Sequence, residues 1–266
     1  MVMEKQGLST NTLKILAIIA MVCDHAPHLL LNWQELYYTN PWFLLHGFGR
    51  VTARVFFFLL ALGYRRTRDA NRYTLRLFVF ACVSYLPYIW YLEDALPNKQ
   101  NFLDLNVIFT MLFGLLLLRS VHEIRNIALK TICIILCLLG GYWCDYGLFG
   151  IAMILVCDVA GDSRRGTILG LGAVMLTYVY LNISRSFSSS AGPFEYMAQL
   201  SANPFLPNYI FVMLCIFLPL LFIAFHTSWY RGAKGERRPS FFAKWGFYIF
   251  YPAHLTVFLL IKLFVI

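Results

Sequence analysis

Apolar segments long enough to cross a lipid bilayer recur along the whole chain, and this pattern constrains the fold more than any other feature. Hydrophobic residues make up 60% of the 266 residues and charged residues only 13%, whereas a soluble domain carries about 25% charged residues. A helix that crosses a bilayer needs about 20 predominantly apolar residues. The sequence therefore predicts an all-α, polytopic integral membrane helical bundle, formed as a single domain over residues 1–266.

The apolar windows predict about nine transmembrane helices. Their predicted bounds are 12–31, 50–64, 73–91, 102–118, 127–142, 148–159, 166–182, 209–225 and 241–265. With these bounds, 17 of the 22 lysines and arginines fall on one side of the membrane. Cytoplasmic loops carry the excess of Lys and Arg, so a cytoplasmic N-terminus is predicted. The net charge of +9 is then a consequence of topology, and no nucleic-acid partner is expected.

The cysteines give no sign of a disulfide framework or a zinc site. All seven lie outside any CxxC pair, and most of them fall within apolar runs. This distribution is typical of buried, reduced thiols. We therefore expect no metal in the protein.

The first predicted span contains ionisable residues in its sequence "MVCDHAPHLL", which places Asp24, His25 and His28 among apolar neighbours. Such groups are costly within a bilayer and usually mark a functional site. His25 and His254 are each the fourteenth residue of a predicted span that runs outward. Because a helix rises about 1.5 Å per residue, both histidines are predicted to lie roughly 15–20 Å from the cytoplasmic end.

Other polar residues fall at a similar depth. Arg54 lies about ten to twelve residues from the inner end of the second span, and Asn106 about twelve from the inner end of the fourth. An arginine against lipid is costly, so Arg54 is expected to face a carboxylate or an anionic ligand, with Asp24 as the expected partner. A purely structural pair between Arg54 and Asp24, and a packing role for His28, remain alternatives.

The ninth predicted span carries a polar stripe in the sequence "FYIFYPAHL". Tyr248, Tyr251 and His254 follow one another at intervals of three residues, which places them on one helix face. The two tyrosines are candidates for substrate binding, although ordinary aromatic packing is an alternative for both.

Two basic loops on the predicted inner side are candidates for binding phosphate groups. They read "GYRRTRDANRYTLR" and "WYRGAKGERRPSFFAK". Arg and Lys supply charge, and small residues let the backbone approach phosphates. The candidate phosphate-binding residues are Arg68, Arg72, Arg76, Arg231, Gly232, Lys234 and Lys244. Basic inner loops are also expected from topology alone, so both explanations stay open.

Several motifs occur together in a specific order: "LKILAIIAMVCDH", "GRVTARVFFFLLALGYRRTRDANRYTLR", "NVIFTMLFGLLLL", "YGLFGIAMIL" and "KWGFYIFYPAHL". In this order they resemble the TraX family, membrane proteins named for the F-pilin acetylase. The chain departs from the family at Arg54 and Val55, where an aromatic residue followed by proline is usual. It also has Arg231 where the family has asparagine.

The resemblance implies an acetyltransferase in the bacterial inner membrane that takes acetyl from acetyl-CoA, as a co-substrate, to an amine or hydroxyl acceptor. By position, Asp24, His25 and His254 match the catalytic motifs. Asn106, Tyr248, Lys244 and Gly232 match the family as well. The acceptor is left open among a small molecule, a glycan, a lipid and a peptide amine.

The residues themselves suit such chemistry. Acyl transfer from a thioester needs a base and a donor that stabilises the oxyanion. A histidine oriented by Asp24 is the expected base. The candidates for oxyanion or substrate binding are Arg50, Arg54, Asn106, Tyr248 and Tyr251. Two other classes stay open: a proton-coupled transporter or flippase with the same groups as a relay, and a haem b protein with His25 and His254 as axial ligands.

Overall fold

The structure, a computed structural model, describes residues 7–30, 40–93, 95–188, 206–226 and 241–264. Within these residues the chain is helical, and the prediction of an all-α membrane bundle is confirmed. In chain order the helices are α1 (Thr10–His25), α2 (Pro27–Leu30), α3 (Asn40–Gly49), α4 (Val51–Arg66), α5 (Ala70–Leu92), α6 (Val107–Glu123), α7 (Ile127–Tyr142), α8 (Gly147–Val159), α9 (Arg164–Ser188), α10 (Leu206–Cys215), α11 (Leu218–Ala224) and α12 (Phe241–Phe264). The described residues contain no strand, only isolated bridges between Leu8 and His226 and between Leu105 and Cys144.

Five helical segments are long and apolar enough to cross a membrane: Thr10–Leu29, Pro41–Arg66, Ala70–Leu92, Arg164–Ser184 and Trp245–Phe264. Shorter apolar helices cover Ile127–Tyr142, Gly147–Val159 and Ile210–Ala224. Together with α6, these segments match the nine predicted spans in order.

The second span is longer than predicted because α3 precedes it. The segment "NPWFLLHGFG" was assigned to an outer loop, but it forms a helix that continues into α4 through Arg50. Its glycines permit close packing rather than a loop. A Cβ atom at Gly49 would meet the Cβ and carboxyl group of Asp24, so only glycine lets α3 lie this close to α1.

Two other predicted bounds also differ. The fourth span was predicted to start at residue 102, yet α6 begins at Val107, because the Asn106 side chain accepts a hydrogen bond from the Ile108 amide as an N-cap. The eighth span divides into α10 and α11 at residues 216–217. Pro219 lies in the first turn of α11, where its missing amide hydrogen costs no helical bond.

Helix α4 forms the centre of the bundle. Its residues from Val51 to Leu62 are all buried, and it packs against α1, α8, α11 and α6. A helix that is apolar all round belongs in a core. Helices α5 and α7 instead leave large apolar side chains exposed, including Phe78, Val83, Ile132 and Leu136, as expected of surfaces that face lipid.

Polar side chains also join the C-terminal ends of α4, α6 and α8. The carboxylate of Glu123 accepts hydrogen bonds from Arg119 and from the Tyr64 hydroxyl. His122 pairs with Asp158 at 2.7 Å, and Arg65 donates to the Cys157 carbonyl at the end of α8. We call these residues the Arg119 network: Tyr64, Arg65, Arg119, His122, Glu123 and Asp158.

Candidate active site

His25 and His254, which were predicted to lie at the same depth in the membrane, are in direct contact. His25 is the last residue of α1, and His254 lies in α12. His25 Nδ1 and His254 Nε2 are 2.7 Å apart although the residues are 229 positions apart in the chain. The two rings are nearly parallel, with an interplanar angle of 7°. The predicted convergence of these two spans therefore yields a hydrogen-bonded histidine pair.

The backbone of α12 sets the proton arrangement of the pair. His254 Nδ1 lies 2.9 Å from the Phe250 carbonyl oxygen, which can only accept, so Nδ1 carries a proton. In the neutral ring, His254 Nε2 is then an acceptor, and His25 Nδ1 must be the donor to it. The lone pair of His25 is left on Nε2, which has no hydrogen-bond partner among the described residues. This nitrogen is suited to take a proton.

Aromatic residues fix the position of the pair. Tyr251 is buried, with its ring centroid 5.7 Å from that of His254 and 6.4 Å from that of His25. The Tyr91 hydroxyl, at the end of α5, donates a 2.8 Å hydrogen bond to the His25 carbonyl. That bond satisfies a carbonyl at the end of α1, because the Leu29 amide donates to the Ala26 carbonyl and not to that of His25. His28 packs against Tyr91 and not against the histidine pair.

Asp24 faces away from the pair, toward α3. Its carboxylate lies 2.9 Å from His46 Nδ1 and 3.9 Å from Arg50 Nη2, and Arg50 also contacts the His46 ring. The expectation that Asp24 orients His25 is not met, because consecutive helical residues point about 100° apart. His254 occupies that orienting position instead.

Arg54 is not the ion-pair partner of Asp24, contrary to the expectation from the sequence. Its side chain is 2% exposed. One guanidinium nitrogen, Nη1, donates to the Arg50 carbonyl at 2.5 Å, and the group lies 5.7 Å from the centroid of the Tyr146 ring. Arg50 is one turn closer to α1 and takes the place beside Asp24. We call Asp24, His25, His46, Arg50, Arg54 and His254 the His25 cluster.

Two predicted substrate-binding residues contact other groups. Asn106 is fully buried; its Nδ2 donates to the Ala81 carbonyl and its Oδ1 caps α6. The Tyr248 ring packs against Phe80, one turn of α12 before Tyr251. Both residues hold α5 against its neighbours, α6 and α12.

The basic residues of the first inner loop lie at the start of α5. Arg68 and Arg72 are exposed, and Arg72 pairs with Asp69 at 2.9 Å. Arg76 lies over the Tyr73 and Trp245 rings. Arg231, Gly232 and Lys234 fall outside the described residues. Lys244 belongs to α12, but its side chain is also outside the described part.

Sequence reasoning missed His46, Tyr91 and Tyr146. His46 and Arg50 are four residues apart in an apolar segment, a spacing that brings side chains together on one helix face. That signal was available once the segment 40–49 was treated as a helix. Tyr91 and Tyr146 lie at helix ends, where a tyrosine near a membrane surface carries no distinct signal.

The described side chains do not suit a metal ion or a haem held between His25 and His254. Among the residues that the structure describes, no group of three His, Cys, Asp or Glu side chains could hold a metal ion. His25 and His254 hydrogen-bond directly at 2.7 Å. That separation leaves no room for an iron atom and its macrocycle between two axial ligands.

Comparison with known proteins identifies a family whose model covers most of the chain. The family model described as "TraX protein" matches residues 9–262. The chain belongs to the TraX family. A relative in Dichelobacter nodosus, named as the probable fimbrial assembly protein FimC of serogroup H1, is 27% identical over 260 residues, which is 96% of each chain. No solved structure matches. In this TraX-family protein the "CDH" and "FYPAHL" motifs, at opposite ends of the chain, meet in the histidine pair.

Proposed function

We propose that this TraX-family protein is a membrane-embedded acetyltransferase that moves acetyl from acetyl-CoA to an amine. The observation that carries the proposal is the contact of His25 Nδ1 with His254 Nε2, fixed by the Phe250 carbonyl. A histidine with a free Nε2 lone pair and a hydrogen-bonded Nδ1 proton has the arrangement of a general base.

In the proposed reaction the acceptor nitrogen attacks the thioester carbonyl carbon. The C–N bond forms, the C–S bond breaks, and His25 Nε2 takes the proton that the nitrogen loses. That proton then passes to the CoA thiolate, so the products are the amide and the CoA thiol. His254 Nε2 accepts a hydrogen bond from His25 Nδ1 and stabilises the positive charge that His25 gains. Tyr251, whose ring lies against both histidines, is the proposed donor to the oxyanion.

An acetyl-histidine relay, in which His25 first becomes acetylated, is the alternative route. In the first step the C–S bond breaks as acetyl binds to His25 and the CoA thiolate leaves. In the second step the amine attacks acetyl-histidine, so that the C–N bond forms and His25 is released. Direct transfer is favoured because His25 Nδ1 already has a partner that suits a base.

The proposal places acetyl-CoA on the cytoplasmic side, with its phosphates on the basic loops that contain Arg68, Arg72, Arg76, Arg231, Gly232, Lys234 and Lys244. Arg68 and Arg72 are exposed at the start of α5, which supports a role in binding phosphates. An extended pantetheine arm reaches on the order of 15–20 Å, by the same extended-chain estimate as about five residues. The histidine pair lies about that far along α1 from its N-terminal end.

The relative from Dichelobacter nodosus is named for fimbrial assembly, and this supports a fimbrial subunit as the acceptor. We propose a peptide amine on such a subunit, held at the inner membrane of a bacterium. A glycan, a lipid or a small-molecule amine would use the same chemistry.

The contact of Asp24 with His46 and Arg50 favours a second candidate, a proton-coupled transporter or flippase. Ionisable groups in mutual contact within a membrane bundle are typical of proton relays. In that case the histidine pair would carry protons and no CoA would bind.

Inverted membrane vesicles separate the two candidates, because they expose the cytoplasmic face to added acetyl-CoA. Vesicles with the protein should transfer label from radioactive acetyl-CoA to an amine, whereas vesicles that lack it should not. Proton movement without CoA binding or acetyl transfer would instead identify a transporter and reject the enzyme.

A further inference from the structure

The strongest unexplained feature of the molecule is a buried arginine without an anion. Arg54 is 2% exposed, and among the described residues no carboxylate lies within ion-pair distance of it. Its Nε has no hydrogen-bond partner there, and neither has the Nε of Arg50. A buried charge normally requires pairing and full hydrogen bonding.

The neighbouring acidic groups do not neutralise both arginines. Asp24 is closer to His46, at 2.9 Å, than to Arg50, at 3.9 Å. Asp145, in the loop before α8, interacts electrostatically with both arginines but lies beyond ion-pair distance of either guanidinium. Tyr146 offers Arg54 only a ring face, at 5.7 Å. Among the described residues Arg50 therefore has one carboxylate at ion-pair distance, that of Asp24, and Arg54 has none.

The positive charge lies at the same end of α1 as the histidine pair. Asp24 precedes His25 in α1, so the contact of Arg50 with Asp24 places the arginine against the turn of α1 that carries His25. Arg54 donates to the Arg50 carbonyl and is thereby held on the same side of α4.

We propose that Arg50 and Arg54 bind an anionic group of the acceptor, a carboxylate or a phosphate, while its amine approaches His25. The inference rests on the proposed acetyltransferase function and narrows its acceptor to amines that carry a negative charge. A guanidinium binds carboxylate and phosphate through two parallel hydrogen bonds, and the free Nε of each arginine completes such a pair. The anion supplies the ion-pair partner that Arg54 lacks among the described residues.

Matched amines test the inference without any change to the protein. The full-length protein in proteoliposomes receives radioactive acetyl-CoA with glycine or glycinamide, and with O-phosphoethanolamine or ethanolamine. Rates are compared at equal concentrations of unprotonated amine, because the members of each pair differ in basicity. We expect the anionic member of at least one pair to have a kcat/KM about 100-fold higher than its neutral counterpart. The pair that shows it distinguishes carboxylate from phosphate.

Substitutions then locate the preference. Arg54→Gln should lower the ratio of anionic to neutral rates about tenfold or more, and Arg54→Lys should restore part of it, because the charge returns without the paired hydrogen bonds. Arg119→Gln, the same change in the Arg119 network, should keep the wild-type ratio. A ratio that Arg54→Gln leaves unchanged would overturn the inference.

The wild-type ratio remains decisive if Arg54→Gln fails to fold. Equal transfer to anionic and neutral amines by the wild-type protein would reject an anionic acceptor and leave the acetyltransferase proposal standing. No transfer to any amine and no release of CoA would reject the acetyltransferase itself, and the inference with it.

Discussion

Arg119 and Arg54 have opposite surroundings. Arg119 lies near the surface, and all three of its guanidinium nitrogens donate hydrogen bonds, to Glu123, Thr74 and Asn71. Arg54 lies in the core and makes one, to the Arg50 carbonyl. An accessible arginine could use water in place of its partners, whereas a buried one cannot. The hydrogen bonds of Arg119 therefore join helices, whereas the missing hydrogen bonds of Arg54 are the ones that we propose an anion to supply.

The same contrast holds for the histidines of the two regions. His122 in the Arg119 network is paired with a carboxylate, Asp158. His25 is paired with a second imidazole, His254, which leaves its Nε2 without a partner in the described chain. Four predictions test this difference between the two regions, and they are given from the largest expected effect to the smallest.

The largest effect belongs to the histidine pair. His25→Ala should lower kcat/KM for acetyl transfer about 10²–10⁴-fold, because it removes the proposed base. His254→Phe should cost about 10–100-fold, the range for a partner that orients a catalytic group. Because the pair acts as one unit, the double variant should be no slower than His25→Ala alone. If the loss in the double variant equals the product of the two single losses, the two histidines act independently and the prediction is wrong. His122→Ala is the control and should leave the rate near that of wild type.

The close approach of α3 to α1 makes the next prediction. In Gly49→Ala the new Cβ would meet the Cβ and carboxyl group of Asp24, and we expect a loss of about 1–3 kcal/mol in unfolding free energy. Gly172→Ala, whose Cβ would meet only Leu220 at 3.8 Å, should be neutral or stabilising. Denaturation in detergent measures both. Equal stability of the two variants would show that α3 does not lie this close to α1.

Asn106 and Asn126 cap two helices in the same way, but Asn106 is buried and Asn126 is exposed. Asn106→Ala should cost about 1–3 kcal/mol, because it leaves the buried Ile108 amide without its cap and removes the additional hydrogen bond to the Ala81 carbonyl of α5. Asn126 caps α7 in the same way but is exposed, and Asn126→Ala should cost only about 0.5–1 kcal/mol. A larger cost at Asn126 would contradict the burial of the α6 cap. Denaturant titration of the two variants in detergent gives the comparison.

The smallest effect is expected in the Arg119 network. Arg119→Gln removes accessible hydrogen bonds to Glu123, so it should lower the unfolding free energy by about 1 kcal/mol or less and leave acetyl transfer intact. The melting temperature and the transfer rate of the same preparation provide the check. A loss of transfer as large as that of His25→Ala would remove the distinction between the two regions.

Much of the fold was predictable from apolar windows and basic loops, since both follow directly from the thickness and polarity of a bilayer. The windows predicted the helices from α4 to α12 in order, apart from the break between α10 and α11. Helix α3 was missed because residues 32–49 fell between the first two predicted spans. Its Gly49 packs closely against Asp24, and its Gly47 packs against Phe211 and Cys215. The orientation with a cytoplasmic N-terminus stays a prediction.

The depth of the site residues along their spans was predictable, but the direction in which their side chains point was not. Counting residues along two spans was sufficient to bring His25 and His254 to one level. The partners of Asp24 and Arg54 depend on how each helix is rotated and on α3, and spacing within one span does not determine either. The sequence thus predicted an arginine beside Asp24 but named Arg54, whereas the structure places Arg50 there.

The most direct test of the account is the release of CoA by purified protein in proteoliposomes, measured together with acetylation of an amine. The account predicts one CoA thiol for each amide formed by the wild type, near wild-type rates in His28→Ala, whose ring lies against Tyr91, and loss of both products in folded His25→Ala. Release of CoA and amide by His25→Ala at the wild-type rate would contradict the central claim that the histidine pair catalyses acetyl transfer.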